Sequence, residues 1–291
     1  MRAALLVIAV LLLGVGCAFA SPVRLLPTSP SQGEEGTLPL AKRESEGVSE
    51  LRVPVLMYHH VGDVPARDPY GLFVSTSTFR AQMQALKDDG WIPIYMDFLL
   101  QALDRGSTTL EHGYHLREKS VVITFDDGNR DTYTNALPIL NEFGWGASVF
   151  VMTGPVSNGA SSYMTPEMLG VLQDVHGWEL YPHTRWHEIL TRVPEAQAKE
   201  EILSSREFLE REILTCVMCP KQIPAFAYPN GEENETVRTL LREAGIRYAF
   251  TIRDGAVTTS SDPLALPRLR MGEDHGVEKF LQRLRIAAAR G

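Results

Sequence analysis

Residues 121–128 read VVITFDDG, and this stretch decides how the rest of the chain is interpreted. The first three residues are apolar and β-branched, which is typical of a strand buried in a parallel sheet. The run ends at Asp126 and Asp127, so the strand would carry two carboxylates to the edge of the sheet. Functional side chains gather at this edge in parallel α/β folds. The stretch therefore predicts a buried strand that leads into a polar site.

A second motif follows about 56 residues later. Residues 178–181, WELY, form another short strand-like run, and HTRWH follows at residues 183–187. One carboxylate together with His183 and His187 would make an open three-ligand metal site. A second carboxylate beside that site remains available as a base. These residue types predict metal-assisted hydrolysis.

The two motifs together resemble those of the polysaccharide deacetylases, metal-dependent carbohydrate esterases that act on chitin-like polymers, peptidoglycan and biofilm glucosamine polymers. A third patch, FAYPNG at residues 226–231, resembles the aromatic-proline-glycine loop of that family. The resemblance runs from about Val53 to the C-terminus. It implies a distorted, incomplete (β/α) barrel of about seven parallel strands. It also implies a hydrolase that removes N-acetyl, or O-acetyl, groups from a polysaccharide or oligosaccharide.

The resemblance also implies a role for each motif residue. Asp127, His183 and His187 would bind a divalent metal ion. Asp126 would act as the general base, and the backbone N–H of Asn230 would stabilise the oxyanion. The metal ion would polarise the acetamide carbonyl and lower the pKa of the attacking water. Imidazole ligands suit zinc, cobalt, nickel or iron, and zinc is the first choice.

The chain departs from the family's commoner pattern in the third motif. Ala227 stands where an arginine usually orients the catalytic aspartate, and Arg268 is a candidate to replace it. Asn230 stands where a tyrosine is common, but backbone donation does not depend on the side chain. Trp186, between the two histidines, could stack on a sugar ring or simply pack.

The sequence does not identify the general acid, the residue that would protonate the leaving amine. Met271 occupies the position of a histidine that often serves this purpose in the family. His275 is close in sequence, although a solvated loop histidine is the simpler interpretation. Asp126 could instead return its proton to the leaving amine. His59 and His60 follow the first predicted strand and could either reach the substrate or support the site.

Strands and helices alternate from residue 53 onward, and repeated βα units imply a parallel sheet with helices outside. The predicted strands are 53–58, 121–125, 147–152, 179–181, 225–228, 248–251 and 266–271. The predicted helices are 77–89, 132–143, 166–175, 195–214, 233–244 and 277–288. Periodicity alone leaves a closed barrel and an open doubly wound sheet as alternatives.

The N-terminal fifty residues predict export. Residues 1–20 contain an apolar stretch followed by AFA, the pattern of a cleaved signal peptide. The run is short for a membrane span, with an uncleaved anchor as the alternative. Cys17 follows a degenerate lipoprotein signal, so a lipid anchor is a second alternative. Residues 21–50 are rich in Ser, Pro, Gly and Glu and predict a flexible tether before a catalytic domain at 51–291.

Charge and cysteine content narrow the choice of partners. The formal net charge of −8 argues against a nucleic-acid partner, whereas a polysaccharide is compatible with it. We expect membrane contact only if the chain is lipid-anchored. Cys216 and Cys219 predict either a local disulfide or two quiet thiols, since no further zinc ligands are nearby in sequence.

Three other functions are alternatives to a deacetylase. A glycoside hydrolase needs carboxylates about 5–9.5 Å apart, and the neighbours Asp126 and Asp127 are badly placed for that. An iron(II) oxygenase would need a His-x-Asp/Glu spacing that the chain lacks. A carbohydrate-binding relative with little or no catalysis stays open because of Ala227 and Met271, although the spare carboxylate of Asp126 favours an enzyme.

Overall fold

Strands and helices alternate along the part of the chain that the computed structural model describes, residues 51–213 and 223–289. The strands are β1 (Arg52–Tyr58), β2 (His60–Val61), β3 (Phe73–Val74), β4 (Ile92–Pro93), β5 (Ser120–Phe125), β6 (Ser148–Val151), β7 (Glu179–Pro182), β8 (Ala225–Ala227), β9 (Tyr248–Phe250), β10 (Ala256–Thr258) and β11 (Leu269–Arg270). The α-helices are α1 (Thr76–Asp88), α2 (Met96–Arg105), α3 (Leu137–Phe143), α4 (Thr153–Ser157), α5 (Pro166–His176), α6 (Glu195–Phe208), α7 (Glu235–Glu243) and α8 (Val277–Ala289).

The sheet is built around β1 and β5, which are buried along almost their whole length. They pair in parallel, with Leu56 opposite Ile123. A strand covered on both faces needs apolar side chains at successive positions, which explains the uninterrupted apolar run before the acidic pair. The core around them contains large aromatic side chains, and Phe125 stacks against Trp178 with ring centroids 5.7 Å apart. The strand that delivers Asp126 and Asp127 is therefore firmly fixed.

Seven parallel strands go round the barrel. The order β11–β1–β5–β6–β7 is continuous, and β8 pairs in parallel with β9. A parallel bridge between Phe250 and Leu266 links β9 to the segment that leads into β11. Between β7 and β8 no ladder forms in the described residues, so the barrel has an open seam. This confirms the prediction of a distorted, incomplete (β/α) barrel of about seven parallel strands.

Two short strands extend the sheet without joining the barrel. β10 pairs antiparallel with the start of β1, and β4 pairs with the start of β5. Neither strand is predicted from the sequence, nor is the β2–β3 pair. Each has only two or three residues, which is too short for a period-2 pattern to be recognised.

All six predicted helices form, and two of them include a π-helical segment. The predicted helix 132–143 begins as a π-helical segment, Thr132–Ala136, before α3. The predicted helix 195–214 is α6 followed by a π-helical segment, Leu209–Ile213. Helix α2 was missed altogether. Its first-turn N–H groups at Met96 and Asp97 donate to the carboxylate of Glu179, a partner 83 and 82 residues away that no local pattern reveals.

The last predicted strand, 266–271, was too long. Only Leu269–Arg270 forms β11, and Leu266 makes an isolated bridge. Pro267 between them has no N–H to contribute to a ladder.

Several predictions fall outside the described residues. These are the signal peptide at 1–20, the tether at 21–50, the lipid-anchor alternative at Cys17 and the Cys216–Cys219 pair. They stay predictions. Among residues 51–213 and 223–289, no helix combines the length and apolar character needed to cross a membrane.

Candidate metal centre and active site

The first two motifs meet because β5 and β7 end at the same edge of the barrel. The N–H of Asp126 donates to Tyr58 O at 2.9 Å, and the N–H of His183 donates to Val151 O at 2.9 Å. These bonds continue the parallel ladders by one residue past each strand. The backbone that carries the motif side chains is therefore held by the sheet itself.

Asp127, His183 and His187 form a group whose ligand-type atoms all lie within 4.8 Å of one another. Asp127 Oδ1 is 3.6 Å from His183 Nε2 and 3.7 Å from His187 Nε2. Asp127 Oδ1 is buried and has no hydrogen-bond partner among the described residues. A buried carboxylate oxygen without a partner is costly, so its position between two imidazole nitrogens fits a cation.

The state of His183 also suits a metal ligand. Its Nδ1–H donates to Ala227 O at 2.7 Å, which leaves the lone pair of Nε2 directed toward Asp127. Burial lowers the pKa of His183 to about 4, so the ring is neutral near pH 7. A carbonyl that fixes the second nitrogen of a ligand imidazole is a common way to set its tautomer and direction.

Left-handed backbone is concentrated in the three motifs. In the described part of the chain, four non-glycine residues have positive φ: Asp127 (72°), Thr184 (63°), His187 (62°) and Asn230 (56°). Such conformations cost about 1–3 kcal/mol each for most side chains. All four belong to the motifs identified in the sequence. Their neighbours must therefore hold them in place.

Asp126 does not belong to the metal group, because Arg268 holds it. Arg268 Nη1 and Nη2 donate to Asp126 Oδ1 and Oδ2 at 2.6 and 2.7 Å, and both side chains are almost fully buried. The guanidinium also donates to Thr251 O through Nε and lies 5.2 Å from the ring centroid of Phe150. The structure thus brings Arg268 to the carboxylate that Ala227 cannot reach.

Asp126 is ionised in this environment. Burial by itself would raise the pKa of Asp126, but the charge and hydrogen bonds of Arg268, with a contribution from His183, hold it well below its usual range. The two adjacent aspartates therefore differ physically. One carboxylate is paired with a buried cation, and the other has an oxygen free for a ligand.

His59 lies beside Asp126, a position that its sequence context alone does not reveal. Its Nε2 lies 4.0 Å from Asp126 Oδ2, and its buried Nδ1 has no hydrogen-bond partner in the described chain. Burial lowers the pKa of His59, while Asp126 acts in the opposite direction. His60 faces elsewhere, with Nδ1 2.8 Å from Asp131 Oδ2. Neighbouring side chains in extended backbone point to opposite sides, which is the signal that could have separated them.

The end of the chain offers one candidate for the general acid, His275, and the contacts of that residue lie elsewhere. Met271 is fully buried, and a thioether has no proton to give. His275 Nδ1 accepts from the Gly272 N–H, and its Nε2 lies 3.0 Å from Arg283 Nη1. His275 therefore belongs to a separate network beside α8.

Asn230 lies in the loop after β8. Its side chain is exposed, and its left-handed backbone turns the chain toward Gly231. A Cβ on Gly231 would lie 2.6 Å from Ile252 Cγ1, so this turn requires glycine. The loop starts beside Ala227, whose carbonyl accepts from His183. The third motif is thus tied to the metal group through one hydrogen bond.

Trp186 presents an indole ring at the surface beside the histidines. The side chain is 44% exposed, although tryptophan is usually well covered. A Cβ on Gly154 would lie 2.6 Å from the ring atom Cε3, so the ring rests directly on that glycine. The ring therefore rests on Gly154, is partly exposed to solvent, and has the Arg185 guanidinium 5.6 Å from its centroid.

Comparisons with known proteins point to one family. A family model described as polysaccharide deacetylase matches residues 113–249. A Bacillus subtilis (strain 168) protein, whose name assigns it provisionally to the polysaccharide deacetylases, is 27% identical over 220 residues, covering 76% of this chain and 71% of the relative. The poly-β-1,6-N-acetyl-D-glucosamine N-deacetylase of Staphylococcus aureus (strain MRSA252) is 26% identical over 214 residues, covering 69% and 68%.

A solved structure has the same fold. A Streptococcus pyogenes deacetylase in complex with acetate superposes with a TM-score of 0.71 and 24% identity. The match covers 81% of this chain and 99% of that one.

Proposed function

Because the chain belongs to the polysaccharide deacetylase family and is an enzyme of that kind, we propose that it hydrolyses the acetamide groups of an N-acetylated polysaccharide with the help of a divalent metal ion. One observation carries the proposal. Asp127 Oδ1 lies between two imidazole nitrogens without a protein partner, while the neighbouring Asp126 is held outside this group by Arg268. The two adjacent carboxylates thus have different environments, one suited to a metal ligand (Asp127) and one suited to a general base (Asp126).

Asp127, His183 and His187 are the proposed ligands. A divalent cation there would polarise the acetyl carbonyl and make the attacking water more acidic. Two nitrogens and one carboxylate oxygen favour zinc as the first candidate, with cobalt, nickel and iron also suited to imidazole.

Asp126 is the proposed general base. Its carboxylate is ionised and fixed at both oxygens by Arg268, and each oxygen keeps a second lone pair. It can therefore take a proton from the attacking water without reorienting. Fixing the base in advance removes the entropic cost of positioning it in the transition state.

The departing amine needs a proton, and we assign this step to His59. Its Nε2 is 4.0 Å from Asp126 Oδ2, so the proton that Asp126 receives could reach His59 through one water or after a small movement of the ring. Among the described residues Nδ1 has no partner that would fix a single tautomer of the ring. The alternative is that Asp126 returns the proton directly.

The remaining contacts concern the substrate. The backbone N–H of Asn230 is the proposed donor to the carbonyl oxygen as negative charge develops there. The supported, half-exposed ring of Trp186 suits the apolar face of a pyranose. The Staphylococcus aureus relative named above is a poly-β-1,6-N-acetyl-D-glucosamine N-deacetylase, which makes that polymer the first substrate to try. Export, inferred from residues 1–20, would bring the enzyme to such polymers.

Acetate release tests the proposal. The chain from residue 21 to 291 is incubated with β-1,6-linked N-acetylglucosamine oligomers, chitooligosaccharides, peptidoglycan and O-acetylated sugars, with zinc, cobalt or EDTA. We expect metal-dependent release from an N-acetylated polymer and loss of release with EDTA. Release from the O-acetylated sugars alone would show that the enzyme cleaves an ester bond and not an amide bond. No release across the panel, with metal shown to be bound, would contradict the proposal.

A further inference from the structure

A buried carboxylate outside the metal group contacts the loop between the two histidines. Glu201 lies on α6 and is only 5% exposed. Its Oε2 accepts from the N–H of Arg185 at 2.9 Å and from the N–H of Trp186 at 2.8 Å. Glutamate is rarely buried without a specific partner, and here the partner is backbone. The site described above gives Glu201 no task.

The same loop is held from its other side by the start of α4. The N–H groups of Thr153 and Gly154 donate to the carbonyls of Thr184 and Arg185 at 3.2 and 2.7 Å. Within the loop, the N–H of His187 donates to Thr184 Oγ1 at 2.9 Å. The carbonyls thus face α4, and two consecutive N–H groups face Glu201. The loop is fixed between the two helices.

This fixing is needed because the loop is in an unfavourable conformation. Thr184 and His187 both have left-handed backbone, at φ 63° and 62°. Consecutive N–H groups that converge on one point bind an anionic oxygen well, and hydrogen bonds to a charged acceptor are stronger than neutral ones. Glu201 supplies such an acceptor in a buried position, where the interaction is least screened.

The two histidines do not need this help equally. The His183 side chain is 2% exposed and is held by Ala227 O, whereas the His187 side chain is 33% exposed. Packing therefore determines where His183 points. The direction of His187 depends on the conformation of its backbone.

We propose that Glu201 is a positioning residue for the metal centre, which fixes residues 184–187 so that His187 Nε2 faces Asp127 Oδ1. The inference rests on the proposed metal site. Glu201 acts through the backbone N–H groups of Arg185 and Trp186 and touches neither metal ion nor substrate. Partners of this kind commonly contribute about 10- to 100-fold to metal affinity.

The test measures zinc affinity by competition with a chromogenic chelator, which needs no turnover. Glu201→Met keeps the length of the side chain and the helix propensity but removes the acceptor, and we expect zinc to bind about 10- to 100-fold more weakly. Glu201→Gln keeps an acceptor oxygen at the same distance but loses the charge, so its zinc affinity should lie between those of Glu201→Met and the wild type. Ser205→Ala is the control, because Ser205 is buried on the same helix and its hydroxyl donates to Ile202 O of that helix. Its zinc affinity should equal that of the wild type.

Wild-type zinc affinity in Glu201→Met would overturn the proposal. If Glu201→Met does not fold, Glu201→Asp replaces it in the test, because its carboxylate is one methylene too short to reach both N–H groups. Wild-type zinc affinity in Glu201→Asp would also overturn the proposal. The proposed deacetylase reaction can be contradicted independently of the role of Glu201. If the Glu201 variants weaken zinc binding but no substrate releases acetate, the positioning assignment stands and the deacetylase proposal does not.

Discussion

Arg268 and Asp126 form a two-point ion pair inside the protein, with Nη1–Oδ1 and Nη2–Oδ2 distances of 2.6 and 2.7 Å, although 142 residues separate them in sequence. Both side chains are buried. The pair makes Asp126 a fixed, ionised carboxylate beside Asp127, whose Oδ1 is left to the two histidines.

Removing Arg268 should change the pH dependence of the reaction. Burial raises the pKa of Asp126 and Arg268 lowers it. The pKa of Asp126 should therefore rise in Arg268→Met. The base loses activity when it is protonated, so kcat/KM falls as the pH drops through its pKa. We therefore expect the acidic limb of the kcat/KM profile to move to higher pH in Arg268→Met, with kcat reduced about a hundredfold.

The control for this variant is Arg285→Met. Arg285 pairs with Asp89 at an exposed position. Its profile should match that of the wild type. Thermal unfolding has to be checked first, because leaving a buried charge unpaired destabilises a protein by about 3–5 kcal/mol. Wild-type kcat in folded, zinc-loaded Arg268→Met would show that Asp126 does not depend on Arg268 to act as the base.

His59→Gln tests the second proton transfer. The amide nitrogen of glutamine cannot serve as an acid of suitable pKa, so kcat should fall about 10²- to 10⁴-fold while zinc content stays at the wild-type level. His60→Gln is the matched control, because His60 is the adjacent histidine and bonds to Asp131 instead. We expect only a small change in kcat for that variant. If kcat were equal in His59→Gln and the wild type, Asp126 and not His59 would be the residue that protonates the leaving amine.

Trp186 should determine affinity for the sugar chain more than the rate of the chemical step. Loss of a stacked ring in Trp186→Ala is expected to raise KM for N-acetylated oligomers about tenfold, with little change in kcat. Trp186→Phe keeps an aromatic surface and should recover much of the difference. If KM in Trp186→Ala is unchanged for oligomers of every length, the ring only packs against Gly154.

The motif residues could be predicted because their chemistry and their strand context are both local. An apolar β-branched run followed by Asp126 and Asp127 can be recognised within eight residues of sequence. The barrel as a whole required the family resemblance, since periodicity does not distinguish a closed sheet from an open one. The helix α2 was not predicted because Glu179, which accepts from its first-turn N–H groups, is more than 80 residues away.

The contacts that support the site were harder to predict for the same reason. Arg268 was only a candidate in the sequence, because nothing near residue 268 indicates that its side chain meets residue 126. Glu201 was not identified at all, since on an otherwise charged helix it looks like a surface residue until the loop is packed against it. The left-handed backbone at Thr184 and His187 is likewise a property of the packed loop.

Zinc titration of the metal-free protein tests the central claim most directly. The account predicts that acetate release from the preferred N-acetylated oligomer rises in proportion to bound zinc and stops at one zinc per chain. Asp126→Asn should bind the same amount of zinc and release almost no acetate, whereas His183→Ala should lose both. Acetate release by zinc-free protein at the full rate, or near-wild-type activity in Asp126→Asn, would contradict the account.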